Sequence, residues 1–121
     1  MCQPGAYSGV KLLPPVDCAK VIDAVKRDGV TEPNSTGECP CGRHKVYLVI
    51  DIDGRDYHWY RQDSDGTWSH KRGPTEVTNL DAPVTRNAKG KPITDPSKCN
   101  RTYPEDNLNY SKDCGTLCAK N

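Results

Sequence analysis

The chain has 121 residues, with 17 Lys and Arg against 16 Asp and Glu for a formal net charge of +1, the two signs interspersed throughout. One domain is expected at this length, and the balanced charge excludes a nucleic-acid binder that works by bulk electrostatics. Phe is absent, the hydrophobic fraction is 34% and the mean hydropathy is -0.82, so the core must be thin, much of the chain must be loop, and covalent stapling would help.

Residues 1–16 are rich in Pro and Gly and read as an extended arm. The opening "MCQPGAYSGV" lacks a basic start followed by an apolar run, so no secretory leader is legible. The longest apolar run, "VYLVI", is far too short to span a membrane. "DCAKVIDAVKRDG" then places Cys18, Val21, Ile22 and Val25 on one helical face, with Asp17 as N-cap, Gly29 as stop, and Lys26 and Arg27 complementing the C-terminal dipole. "VTEPNSTGECPCGRH", residues 30–44, is a turn-rich loop.

"KVYLVIDIDGRDYHWYRQDSDGTWSHKRG" predicts a three-stranded meander turning at Asp53-Gly54 and at Asp65-Gly66. A two-residue first loop, with Ile52 facing Arg55, puts Leu48 opposite Trp59 and Val49 opposite His58. One face then gathers Val46, Leu48, Ile50, Tyr57 and Trp59 as core. A three-residue second loop, Ser64 to Gly66, puts Tyr60 opposite His70 and Gln62 opposite Trp68. The other face then gathers Tyr47, Val49, His58, Tyr60, Trp68 and His70, with the two histidines as diagonal neighbours; a one-residue slip would undo this. Residues 74–113 are polar, carry five prolines and show no sustained period, a length of loop unusual inside a compact domain. "CGTLC" could add a short strand.

Seven cysteines (Cys2, Cys18, Cys39, Cys41, Cys99, Cys114 and Cys118) exceed what incidental core thiols explain, and the odd count leaves at least one free or bonded to another chain. Cys18, Cys39, Cys41, Cys99, Cys114 and Cys118 are the disulfide candidates, in a pattern that spacing does not choose. Cys39, Cys41 and His44 invite a zinc reading, but Pro40 sits inside an unusually short Cys-x-Cys spacing and disulfides are preferred; neither a metal nor a cofactor is expected. Asp51, Asp53, Asp63 and Asp65 are explained by turn chemistry rather than calcium. Three Asn-x-Ser/Thr triplets, at Asn34, Asn100 and Asn109, would suit a secreted surface protein.

His58 and His70 have two readings: a general base with an orienting partner awaiting a cysteine nucleophile, or polar rings filling an aromatic sheet face. Tyr60, Trp68, Arg61 and Arg72 form a candidate binding surface beside them; the basic residues among them also suit a solvated strand edge.

"HWYR" followed by "WSHK", "TNLD" and "GKPITDP" resembles a family of largely uncharacterised small proteins of bacteria and large DNA viruses, over nearly the whole chain from "QPG" to "CGTLC". More distantly that family resembles papain-like and NlpC-type thiol hydrolases. The resemblance implies His58 as base, His70 as orienting residue, and a nucleophile on a helix start upstream of "QPG". Here the chain begins at Met1-Cys2, so either Cys2 substitutes from the arm or the chemistry is lost, and lost chemistry is favoured because nothing lowers the Cys2 pKa.

The expectation is therefore an α+β domain: one helix packed on a small antiparallel β-meander, with a long irregular C-terminal loop, disulfide-stapled. It is a single domain over 1–121, comprising arm 1–16, helix and meander 17–73, and loop with a short C-terminal strand 74–121. The function expected is that of a catalytically incomplete structural or interaction protein with protein partners in a larger assembly, in a virion as a minor capsid component or extracellular, open to an intermolecular disulfide. The alternative is a cysteine peptidase or amidase using Cys2, His58 and His70.

Overall fold

A computed structural model describes residues 15–71, 77–83, 90–104 and 107–120. Helix α1 (Cys18–Arg27) starts where expected. The Asp17 carboxylate accepts from the Lys20 N–H at 2.8 Å and Lys26 and Arg27 lie in the last turn, so both helix ends are satisfied electrostatically. Among the described residues six strands follow: β1 (Arg43–Ile50), β2 (Tyr57–Gln62), β3 (Trp68–Ser69), β4 (Thr102–Tyr103), β5 (Leu108–Asn109) and β6 (Lys112–Lys120). The main sheet has the order β3-β2-β1-β6, and β4 and β5 form a separate hairpin. Among the described residues no helix is long and apolar enough to cross a membrane.

The meander has the expected register. Leu48 pairs with Trp59, Val49 with His58 and Gln62 with Trp68. The second turn is the three-residue loop, closed by Asp63 N–H to Thr67 C=O at 2.8 Å. The first turn differs in detail. Ile52 does not pair with Arg55; its N–H goes to Asn109 C=O, and the strands close one pair earlier, at Asp51 N–H to Asp56 C=O. A four-residue loop keeps the same alternation as a two-residue one, which is why the faces survive the change. Gly54 in this turn is doubly constrained: φ is +71°, and a Cβ there would lie 2.9 Å from the Val16 carbonyl oxygen. The close approach lets Val16 N–H bond Gly54 C=O at 2.7 Å, pinning the segment that enters α1.

Two expectations are corrected. The C-terminal element, expected as a short strand at "CGTLC", is the nine-residue strand β6, paired with β1 from Arg43↔Lys120 to Ile50↔Lys112, so the meander gains a full fourth strand. Its alternating apolar residues are few, and its pairing with β1 spans some seventy residues, so local pattern carries little trace of it. A bulge between Leu48 and Val49 shifts the register of β6. The extra residue allows Cys114 to pack with the helix-side core while Asp113 reaches Tyr47 on the opposite face. The second correction concerns residues 74–113, which are not merely loop. Their described parts carry the β4-β5 hairpin and β-bridges from Trp68 to Ile93 and from Leu80 to Pro92.

The sheet is thus covered on both faces. On one side Val46, Leu48, Ile50, Trp59 and Leu117 pack with Val16, Val21, Val25 and Val30 from the helix and its flanks. On the other, Val49, Tyr60 and Trp68 pack with Ala82, Ile93, Tyr103 and Tyr110 from the long connection. Two buried or half-buried carboxylates hold that connection. Asp81 accepts from the N–H groups of Lys91 and Asn100 at 2.7 and 2.9 Å. Gly90 lies so close to Asp81 that a Cβ there would collide with its backbone. Asp51, fully buried, accepts from the N–H groups of Asn109, Asp53 and Arg55 and from the Arg55 guanidinium, tying the first turn to β5.

Among the described residues two disulfides lock the helix and the entering loop to β6: Cys18–Cys114 and Cys39–Cys118. The zinc reading of Cys39, Cys41 and His44 loses Cys39 to this pairing. Cys41 and Cys99, both expected as disulfide candidates, have no bridge among the described residues; Cys41 is exposed and Cys99 half-buried. The expected arm lies outside the described residues up to residue 14, and Cys2 with it.

Candidate functional site

The register of β2 and β3 brings His58 and His70 together as expected, with His58 Nε2 2.7 Å from His70 Nδ1. His70 is held in place by a reciprocal bridge to Thr78, N–H to C=O in both directions. Its Nε2 lies 2.7 Å from the Leu80 carbonyl oxygen. A carbonyl can only accept, so His70 carries its proton on Nε2 and, when neutral, presents a bare Nδ1 lone pair; His58 must then donate from Nε2. The chain of bonds runs His58 to His70 to Leu80, and its direction is fixed by the backbone at its end.

Aromatic rings surround the pair. His58 stands edge-on to Tyr60 with ring centroids 5.1 Å apart, and Tyr110 lies 5.4 Å away on a tilt. Tyr60 and His70 are 4.8 Å apart. Tyr110 is anchored by its hydroxyl, which donates to Asp56 at 2.8 Å. His58 and His70 are only 3% and 5% exposed. Burial under Tyr103, Tyr110 and the residue 77–83 segment leaves neither ring facing solvent.

The Cys99 thiol borders this cluster next to the Tyr60 hydroxyl. Burial pushes the Cys99 pKa up, despite the opposing influence of the Tyr60 hydroxyl and Arg101. Burial likewise pushes the Tyr60 hydroxyl far above its ordinary value. A half-buried thiol with a raised pKa is a poor nucleophile. Beside it, Asp113 accepts from the Tyr47 hydroxyl at 2.8 Å and from the Arg101 guanidinium. Burial alone would raise the Asp113 pKa, but Arg101 and Tyr47 hold it below the usual carboxylate value. Tyr47 is pushed up to about 12, first by burial and then by the Asp113 carboxylate.

The candidate binding surface is not assembled as expected. Tyr60 is fully buried and Trp68 only 7% exposed, because the long connection packs over the face that the strands alone would leave open. Arg61 is half-buried on β2, and Arg72 lies outside the described residues, as does Cys2. Tyr103, Tyr110 and the Leu80 carbonyl went unseen in sequence reading. The two tyrosines sit in an aperiodic segment, and a backbone carbonyl has no sequence signature.

No protein-family model matches the chain, and no solved structure matches it. Over 102 residues the chain is 39% identical to "Insoluble matrix shell protein 1" of Ruditapes philippinarum. That alignment takes in 82% of this chain and 60% of the relative, so the chain spans less than two thirds of the length of the curated protein it matches.

Proposed function

We propose that the protein is a structural module of an extracellular insoluble matrix, acting by folding into a disulfide-stapled unit that assembles with other proteins. The observation that carries this reading is the similarity to a shell-matrix protein over most of the chain. The fold supports it in two ways. Two disulfides tie the C-terminal strand to the helix and to the loop before β1, an arrangement suited to oxidising surroundings. The His58–His70 pair is a closed link in the packing of the second face, with His70 bonded at both nitrogens. The relative's name favours an extracellular assembly over the virus particle suggested by the sequence resemblance, and an exposed Cys41 leaves a thiol available for linkage to another chain. Antibodies raised against the folded domain test the reading: labelling confined to material outside cells supports it, and labelling confined to cell interiors refutes it.

A second reading, a thiol hydrolase with Cys2 as nucleophile, His58 as base and His70 orienting it, draws on the 2.7 Å bond between the rings. Burial of both histidines weighs against it, since a base must reach the proton it removes. Hydrolysis of amide substrates by the purified chain, lost in both Cys2→Ser and His58→Gln, would establish this reading; equal background rates in all three would dismiss it.

A further inference from the structure

We infer that Asn34 is an acceptor for an N-linked oligosaccharide, and that the other two Asn-x-Ser/Thr triplets of the chain are not used in the folded protein. The inference rests on the extracellular reading above, because the modification requires passage through a secretory pathway. A glycan is bulky and hydrophilic, so the triplet that carries one must present its carboxamide nitrogen to solvent without that nitrogen being part of the fold.

The three triplets differ sharply in this respect. Asn34 is exposed, in the turn that precedes the Cys39–Cys118 disulfide. Its Oδ1 does the structural work: it accepts from the N–H groups of Thr36 and Glu38 at 3.1 and 3.0 Å and from the Thr36 hydroxyl at 2.6 Å. All the hydrogen bonds of this side chain fall on oxygen, leaving Nδ2 pointing to no partner among the described residues. A sugar on Nδ2 would leave every one of those bonds in place. The triplet's own hydroxyl, on Thr36, is also the one that touches the acceptor carboxamide.

At Asn100 both ends of the carboxamide are engaged, Oδ1 accepting from the Thr102 N–H at 3.2 Å. Its Nδ2 donates to the Ala82 carbonyl at 2.9 Å and its backbone N–H donates to Asp81. Ala82 is 1% exposed, so a glycan there would have to enter the contact that holds the 77–83 segment over the sheet. Asn109 is half-buried on β5, with its backbone N–H on buried Asp51 and its carbonyl receiving Ile52. Its Oδ1 accepts from Thr102 across the hairpin rather than from its own Ser111. A sugar on either residue would pry at the layer that covers the second face.

In the transfer itself, Asn34 Nδ2 attacks C1 of the first sugar of a lipid diphosphate-linked oligosaccharide. The new C–N bond replaces the C1–O bond to phosphate, the electron pair leaves with the lipid diphosphate, and the proton lost from Nδ2 passes to a carboxylate of the transferase. No oxidant or reductant is involved.

The test is expression of the full chain behind a secretory leader in a eukaryotic host. Treatment with an amidase that removes N-linked glycans follows, with peptide mass mapping of both secreted and retained protein. The expected result is one glycan per secreted molecule, mapped to Asn34 as its conversion to aspartate, lost in Thr36→Ala and unchanged in Thr102→Ala and Ser111→Ala. Thr36→Ala keeps the Asn34 side chain, so the turn retains its two backbone bonds to Oδ1. Secreted protein without a glycan, or a glycan mapped to Asn100 or Asn109, would overturn the inference. The leader makes this outcome independent of the native destination of the chain: an unglycosylated chain found in extracellular matrix sinks the acceptor assignment alone, whereas a glycosylated recombinant chain whose native form stays inside cells sinks the matrix reading alone.

Discussion

Removing the two disulfides singly and together should show that they are coupled through the unfolded chain. Cys18–Cys114 and Cys39–Cys118 close sequence separations of 96 and 79 residues. Taken alone, loops of those lengths restrict the unfolded ensemble by ~4.7 and ~4.5 kcal/mol in the chain-entropy account. Yet each bridge shortens the loop that the other closes. With Cys18–Cys114 intact, Cys39 and Cys118 are already joined by a path of about 25 residues, from Cys39 back to Cys18 and from Cys114 on to Cys118. Removing either bridge from the doubly bonded protein should therefore cost only ~3.5 kcal/mol, while removing both costs ~8 kcal/mol, more than twice the single loss. That total is comparable with the whole stability of many domains, so the protein lacking both bridges should be largely unfolded. The assay is urea unfolding of Cys18→Ala with Cys114→Ala, of Cys39→Ala with Cys118→Ala, and of the variant lacking all four. Fluorescence of Trp59 and Trp68 reports on it, since both are buried, one in the helix-side core and one in the loop-side core. A combined loss no greater than one single loss, or a single variant within about 1 kcal/mol of the parent, would refute the reasoning.

Three further outcomes follow from the site. His70→Leu leaves the His58 donor and the Leu80 carbonyl without their shared partner, which at roughly 1–3 kcal/mol for each buried group should lower Tm by about 10–20 °C; combining it with His58→Leu should cost less than the sum of the two singles, and strict additivity in thermal melts would argue against a bond between the rings. Asp51 is held below the ordinary carboxylate pKa: burial pushes it up, but the N–H of Asn109, the Arg55 guanidinium and the N–H groups of Asp53 and Arg55 outweigh that. Its ionised form then stabilises the fold fully above the unfolded carboxylate pKa, and that contribution is lost as pH falls through the lower folded value. Asp51→Asn should accordingly lose about 1–3 kcal/mol at neutral pH and show a shallower fall in stability below about pH 4, a pattern that parallel urea melts at pH 7 and pH 3 would detect. Alkylation of the native protein should modify Cys41 rapidly and Cys99 slowly, because Cys99 is half-buried with a raised pKa; labelling of Cys18, Cys39, Cys114 or Cys118 without reduction would contradict the pairing.

The meander was legible because its information is local. Two runs of apolar and aromatic residues, "VYLVI" and "YHWYR", joined by one Asp-Gly turn and followed by a second, suffice to set which residue faces which, and the exact form of the first turn matters little when its loop length stays even. The juxtaposition of His58 and His70 follows from that register alone. Three things were not legible, and each depends on contacts between distant residues. Strand β6 takes its place beside β1 through pairings with no local signature, and its bulge depends on how Cys114 and Asp113 find opposite faces. The disulfide pattern follows from that placement. The cover over Tyr60 and Trp68 comes from Ile93, Tyr103 and Tyr110, single apolar residues separated by prolines and turn residues. Because that cover was invisible, a buried aromatic layer looked in sequence like an open binding surface.

The proposed matrix role is tested most directly by sequential extraction of the source tissue together with its extracellular material, first with a chelator, then with detergent and denaturant, and finally with denaturant plus reductant, quantifying peptides of this chain at each step. Retention of most of the chain in the insoluble residue until the last step is the result the structural reading predicts. Recovery of the chain predominantly in the first, freely soluble fraction would contradict it.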